Sequence, residues 1–174
     1  FNSTMVVAEY ARRERIPLFF AASSSTQFLH HHDNPYTFSK CINEEFLELY
    51  RKQYNLEYHM LYFYNVYGPR EADYGEHSTV VRAFKKCIEE NEPLRIFGSG
   101  KKLRDFTHIH DVIDGILKLL TTKRKPKDIH LGSGNPVSIM EIANAFNHHA
   151  VHEFDKKGEA EVTECENPYI EPQY

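Results

Sequence analysis

Leu18-Phe19-Phe20-Ala21-Ala22 runs directly into Ser23-Ser24-Ser25-Thr26. A short, continuous apolar run of this length is the pattern of a strand buried on both faces, as in a parallel sheet. Small hydroxyl residues at the end of such a strand sit where open α/β sheets bind ligands. A polar turn with a serine capping the next element is the other reading of the same residues.

Upstream, residues 4–15 read as an amphipathic helix ended by Pro17, with Met5, Val6, Val7, Ala8 and Ala11 as its apolar positions. Downstream, Asn34-Pro35-Tyr36-Thr37-Phe38-Ser39-Lys40 opens a helix running to about Tyr54. Its Tyr36 and Lys40 stand at i and i+4, on one face and one turn apart. A phenol is a poor base near neutrality, and a nearby ammonium favours its phenolate. Tyr36 with Lys40 is therefore a candidate acid/base pair for a hydroxyl substrate. A half-exposed tyrosine beside a solvated lysine has the same spacing.

The remaining pattern alternates strands with helices. Residues 56–64 read as a buried strand emptying into Asn65-Val66-Tyr67-Gly68-Pro69-Arg70. A helix over 78–90 and a strand over 94–97 follow. Arg104–Asp111 reads as one short strand leading into a helix over 112–120. Another strand spans 128–131. Ser138 with Glu141 forms a capping box for a further helix, and the chain is irregular from His148 on. The expectation is an α/β fold with one mainly parallel sheet.

Composition narrows the function. The 174 residues suffice for one domain. A net charge of −4 disfavours a general nucleic-acid binder. No apolar run approaches a membrane span, and no signal peptide is evident. Cys41, Cys87 and Cys165 are widely spaced and odd in number, which suits reduced thiols in a cytoplasmic protein. His30-His31-His32 reads as a solvated loop and not a metal site, because adjacent residues do not share one face.

Taken in order, six motifs closely resemble the extended short-chain dehydrogenase/reductase family, the NAD-dependent sugar-nucleotide epimerases and dehydratases. They are Ser23-Ser24-Ser25, Tyr36-x-x-x-Lys40, Asn65-Val66-Tyr67-Gly68-Pro69-Arg70, Ile96-Phe97-Gly98-Ser99-Gly100, Arg104-Asp105-Phe106-Thr107-His108 and Leu131-Gly132-Ser133-Gly134. The resemblance implies a Rossmann-like, doubly wound parallel sheet with a small C-terminal α/β substrate-binding region. Residues 1–70 would be the C-terminal part of the NAD-binding domain. Residues 71–174 would mainly bind substrate, with about 104–131 returning to the Rossmann sheet.

The resemblance also implies roles. Tyr36 would be the base, Lys40 its partner and the holder of the nicotinamide ribose, and Ser24 the hydrogen-bond donor to the reacting oxygen. Phe63 would touch the NAD. Asn65 and Arg104 would hold the diphosphate or nucleotide, Phe97 would lie near the base, and Lys156 could meet a phosphate. The alternative for Arg104 is a surface arginine, with Asp105 capping the following helix. Ser24-Ser25-Thr26 carries no carboxylate, which looks like the 4-epimerases, acting on a UDP-sugar, and unlike the 4,6-dehydratases or decarboxylases. Homodimerisation through helices 4–15 and 36–54 is implied as well.

Three departures accompany the resemblance. The family's Gly-x-x-Gly-x-x-Gly loop, which cradles the dinucleotide pyrophosphate, does not occur in these residues. That raises the expectation of a chain that is part of something longer, with a non-catalytic binding remnant as the competing reading. The 12 positions from Ser24 to Tyr36 are few where the family spends roughly twice that, well beyond ordinary connection lengths. Tyr62 stands where the family has an Arg, and Lys156-Lys157-Gly158-Glu159 where an Arg-Pro-Gly-Glu-like motif is common.

Overall fold

A computed structural model describes residues 2–29, 33–71, 78–155, 157 and 159–173. Its centre is a three-stranded parallel sheet of β1 (Leu18–Ser23), β2 (Tyr58–Phe63) and β7 (Asp128–Leu131), in the order β1-β2-β7. Before β1 comes α1 (Asn2–Glu14), ended by Arg15 at φ 55 and then by Pro17. Between β1 and β2 lie α2 (Ser25–Phe28) and α3 (Pro35–Tyr54).

Helix α3 starts where the chain chemistry demands. The Asn34 side chain accepts from Thr37 N–H at 2.8 Å, and Pro35 occupies the first turn, where its missing N–H costs nothing. Asn55, in the left-handed region at φ 56, ends it by donating to Arg51 O at 2.9 Å.

Strand β2 is the buried axis of the sheet. Side chains alternate across a strand, so its residues serve two cores. Met60, Tyr62 and Tyr64 pack with Ala8, Ala11 and Leu47 under α1 and α3. Leu61 packs on the other face with Val112, Leu119, Ile129 and Leu131, beneath α5 (Ile109–Thr121). A sheet covered on both faces explains the unbroken apolar run. Gly115 lets α5 approach: a Cβ there would collide with Ile170 and Leu131.

The rest builds on smaller pairings. β3 (Val66–Tyr67) pairs with β6 (Thr107–His108). β5 (Leu103–Arg104) lies between β8 (Val137–Ser138), antiparallel, and β10 (Val162–Thr163), parallel. β4 (Leu94–Phe97) pairs with β9 (Ala150–Glu153), covered by α4 (Val80–Glu89) and α6 (Ile139–Phe146) around Phe84, Leu94, Ile96 and Ala143. Ser138 and Glu141 form the expected capping box of α6. Among the described residues no helix is long and apolar enough to cross a membrane.

The α/β fold with a mainly parallel sheet is as expected, and among the described residues three smaller sheets accompany it. Other expectations are corrected. The expected strand over 104–111 is two short strands broken at Asp105-Phe106, and α5 begins at Ile109. The region after His148 contributes β9 and β10. Asp105 does not cap α5, a role taken by His108.

Asp105 is instead fully buried and joins three segments. Its Oδ1 accepts from Ser133 N–H at 2.8 Å and the Ser133 hydroxyl at 2.6 Å. Its Oδ2 accepts from Gly134 N–H at 2.8 Å and Cys165 N–H at 3.0 Å. Its own N–H donates to Thr163 O at 2.8 Å, and its O accepts from Asn65 Nδ2 at 2.7 Å. A side chain bonded by four donors cannot be deleted cheaply, since each orphaned buried donor costs about 1–3 kcal/mol. Asp105→Ala should lower unfolding stability by at least about 3 kcal/mol in urea titration, and Asp105→Asn by less. A loss under about 1 kcal/mol for Asp105→Ala would contradict this role.

Candidate active site

Parallel strands end at a common edge, and β1, β2 and β7 end in step. Ser23 stands opposite Phe63, and Phe63 opposite Leu131. Beyond these ends lie Ser24-Ser25-Thr26, Asn65 and Gly132-Ser133-Gly134, at the edge where open α/β sheets hold ligands. Ser24 continues the ladder by one bond, its N–H donating to Phe63 O at 3.2 Å. Its hydroxyl makes no capping bond to α2. The neighbouring hydroxyls are tied down: Ser23 to Ser25 at 2.9 Å, and Thr26 to both Ser23 O at 2.9 Å and Glu44 Oε1 at 2.8 Å.

Tyr36 lies in the first turn of α3, 54% exposed. Lys40, one turn on, crosses to β1: its Nζ donates to Ala21 O at 3.3 Å. The ammonium sits 5.7 Å from the Tyr36 ring centroid and 5.9 Å from that of Phe20. Lys40 thus meets the face of Tyr36 and pins the helix to the strand that carries Ser24. The other tyrosines on this side are poor bases. Burial pushes the phenols of Tyr62 and Tyr64 well above their usual range. The Cys165 thiol is likewise pushed up to about 11 by burial. Burial also keeps His130, which stacks on Tyr62 and bonds the Tyr64 hydroxyl at 2.8 Å, below its ordinary value.

Phe63 is partly buried at the end of β2, against the α5-side core. Asn65, at φ 30, spends its amide on Asp105 O, so two of the sequence motifs meet. The Arg104 side chain is only 12% exposed. It donates to Leu103 O at 2.9 Å and Glu161 O at 3.4 Å, and pairs with Glu159 at 3.2 Å. Lys102, partly buried, lies 2.7 Å from Asp155 and 3.7 Å from Glu159. Phe97 ends β4 opposite Glu153, 39% exposed. Lys156 and His30-His31-His32 lie outside the described residues.

Sequence reasoning missed Asp105 as a hub, Glu44 behind the serine turn, and the acidic partners of Arg104. Glu44 had a signal: it follows Lys40 by one more turn on the same helix face. Asp105 had only its place beside Arg104, and nothing local foretold partners 28 to 60 positions away.

The description "NAD dependent epimerase/dehydratase family" fits residues 1–132 as a family model. A putative UDP-glucose 4-epimerase of Methanocaldococcus jannaschii is 33% identical over 127 residues, covering 73% of this chain and 39% of the relative. A UDP-glucose 4-epimerase of Mycolicibacterium smegmatis is 30% identical over 113 residues, 65% of this chain and 36% of the relative. The chain thus spans well under half the length of these relatives. Among solved structures, a UDP-glucuronic acid 4-epimerase of Bacillus cereus in complex with UDP-glucuronic acid and NAD superposes with a TM-score of 0.79 at 25% identity. That match covers 92% of this chain and 56% of the other. The epimerase of Methanothermobacter thermautotrophicus, at 22% identity, shares the fold, with a TM-score of 0.85 over 98% of this chain and 59% of that one. The match over residues 1–132 takes in the serine turn, the Tyr36/Lys40 helix and the Asn65 and Arg104 segments, and by it the chain belongs to the NAD-dependent epimerase/dehydratase family.

Proposed function

We propose that these residues form the acid/base and substrate side of an NAD-dependent 4-epimerase of a nucleotide sugar, most simply a UDP-sugar. The observation that carries the reading is Lys40, which ties the Tyr36 helix to β1 three residues before Ser24. One ammonium thereby fixes the base and the hydroxyl donor relative to each other. Relatives named UDP-glucose 4-epimerase and UDP-glucuronate 4-epimerase support the substrate class.

Tyr36 takes the proton from the sugar hydroxyl as it becomes a keto group and returns it when the hydroxyl reforms. Ser24 hydrogen-bonds the same oxygen. NAD, when bound, supplies the hydride acceptor and donor. The fit to that group is partial. Lys40 offers a cation at the strand edge for a ribose hydroxyl, and Phe63 an apolar edge beside it. For the pyrophosphate, the described residues contain no glycine-rich strand-to-helix turn. Arg104 is assigned to the diphosphate end of the substrate, which would replace Glu159 as the partner of its guanidinium, and Asn65 reaches the same segment through Asp105 O.

The faces of α1 and α3 left apolar and open, with Val6, Tyr10, Leu49 and Tyr54 each more than half exposed, are assigned to a two-fold homodimer. Placing a charge there, as in Val6→Glu with Leu49→Glu, should convert a dimer to a monomer in light scattering. An unchanged mass would exclude this face.

In a coupled assay with UDP-galactose or UDP-N-acetyl sugars and added NAD, Tyr36→Phe should lower turnover by about 10²–10⁴-fold, the usual worth of a positioned proton-transfer group. Ser24→Ala should lower kcat more than it raises KM. A Tyr36→Phe protein that turns over like the parent would remove Tyr36 from the mechanism.

A further inference from the structure

We propose that Glu44 is a positioning residue for the Ser24 turn, and that it works as a neutral carboxylic acid. The inference rests on the reading of Ser24 above; the protonation itself does not.

The protons available around Thr26 decide the state of Glu44. Thr26 Oγ1 lies 2.9 Å from Ser23 O and 2.8 Å from Glu44 Oε1. A threonine hydroxyl has one proton to give. A carbonyl and a carboxylate can only accept. With Glu44 ionised, one of these two contacts holds no proton. With Glu44 protonated, both close: the acid proton goes to Thr26 Oγ1, and the Thr26 proton goes to Ser23 O. The Tyr62 hydroxyl, 3.4 Å away, then donates to the free Oε2. Gln27 Nε2, at 3.3 Å, donates to the remaining lone pair of Thr26. The run of donors ends on the carbonyl one residue before Ser24.

The charges around Glu44 favour the same state. Lys40, the cation that acts on Glu44 and favours its ionised form, bonds Ala21 O instead, and Lys127 pairs with Glu48 at 3.1 Å. Glu44 shares its groove with the acids Glu45, Glu48 and Asp128 and with Lys52 and Lys127, and of these Asp128 raises its carboxyl. Tyr62 of β2 and His130 of β7 stack upon each other, and burial disfavours the charged form of both. Cys41, one turn back on α3, is a thiol held protonated by burial. Burial likewise raises the Glu44 carboxyl above its ordinary value. An arginine at position 62, as the family pattern has, would reverse this by offering a fixed cation; this chain has Tyr62.

A carboxyl whose folded pKa is raised stabilises the fold fully below its unfolded value of about 4.3, and that contribution fades as pH climbs through the folded value. Ionisation also takes the Thr26 proton from Ser23 O, so the serine turn loosens in the same pH window.

The test is isotope-edited infrared spectroscopy of the glutamate-labelled chain, taken as wild type minus Glu44→Gln, at about pH 5, above the ordinary glutamate value. A protonated-carboxyl band in the difference is expected, and Tyr62→Arg should abolish it. Absence of the band in wild type overturns the inference. Amide exchange at Ser24 and Thr26 reads the positioning: Glu44→Gln, which keeps a donor, should exchange like wild type at acid pH and lose its pH dependence. Glu44→Ala should exchange at least tenfold faster, and unchanged exchange overturns the positioning role. These readouts need no catalysis. A band with protected amides but no epimerisation would sink the proposed reaction and leave Glu44 standing.

Discussion

The turns after β2 and β7 and the segment at 163–165 hang on the buried side chain of Asp105. Four N–H and O–H groups from Ser133, Gly134 and Cys165 surround it. Such bonds to an ionised acceptor are roughly twice as strong as neutral ones, and each satisfies a backbone or hydroxyl group that burial would otherwise penalise. Three loops far apart in sequence are thereby held at one point. Its own backbone extends the hold to Asn65 and Thr163. The turn after β2, the turn after β7 and the segment at 163–165 cannot move independently while Asp105 is in place.

The second constraint is the sheet. β2 is buried on both faces, so the α1/α3 pair and α5 must take opposite sides. That sandwich leaves only the C-terminal strand ends open for chemistry. Lys40 then connects the helix on one face with the strand edge through Ala21. Glu44, a turn further, reaches the same edge through Thr26. Three successive turns of one helix thus carry a phenol, an amine and a carboxyl along one line, and the last two reach the segment around Ser24 through Ala21 and Thr26. Arg104 and Lys102 form a distinct cluster, where Glu159 and Asp155 balance their charge.

The alternating pattern, the apolar runs at 18–22 and 58–63, the Asn34 cap and the Ser138 capping box were legible because each depends on residues within a few positions. The placing of Tyr36 and Lys40 one turn apart on one helix face was legible for the same reason. What stayed hidden depends on contacts across the chain. β5, β6 and β10 are two residues long and exist only because neighbours pair with them. Asp105 could have been a helix cap because it precedes α5, yet burial and four remote donors claimed it instead. Arg104 looked available for a phosphate; its fork faces Glu159, which lies 55 positions away. Glu44 was passed over because an acid in a helix reads as a solvated face until Thr26 and Tyr62 close around it.

The claim at the centre of this account is that the Tyr36/Lys40 helix and the Ser24 turn serve a nicotinamide dinucleotide. It is tested most directly by denaturing the purified protein and identifying the released small molecules by mass and absorbance. The account predicts NAD in the released fraction, or its uptake when it is supplied to the native protein. No NAD released and no binding on addition would contradict it, leaving a family fold whose acid/base pair is idle.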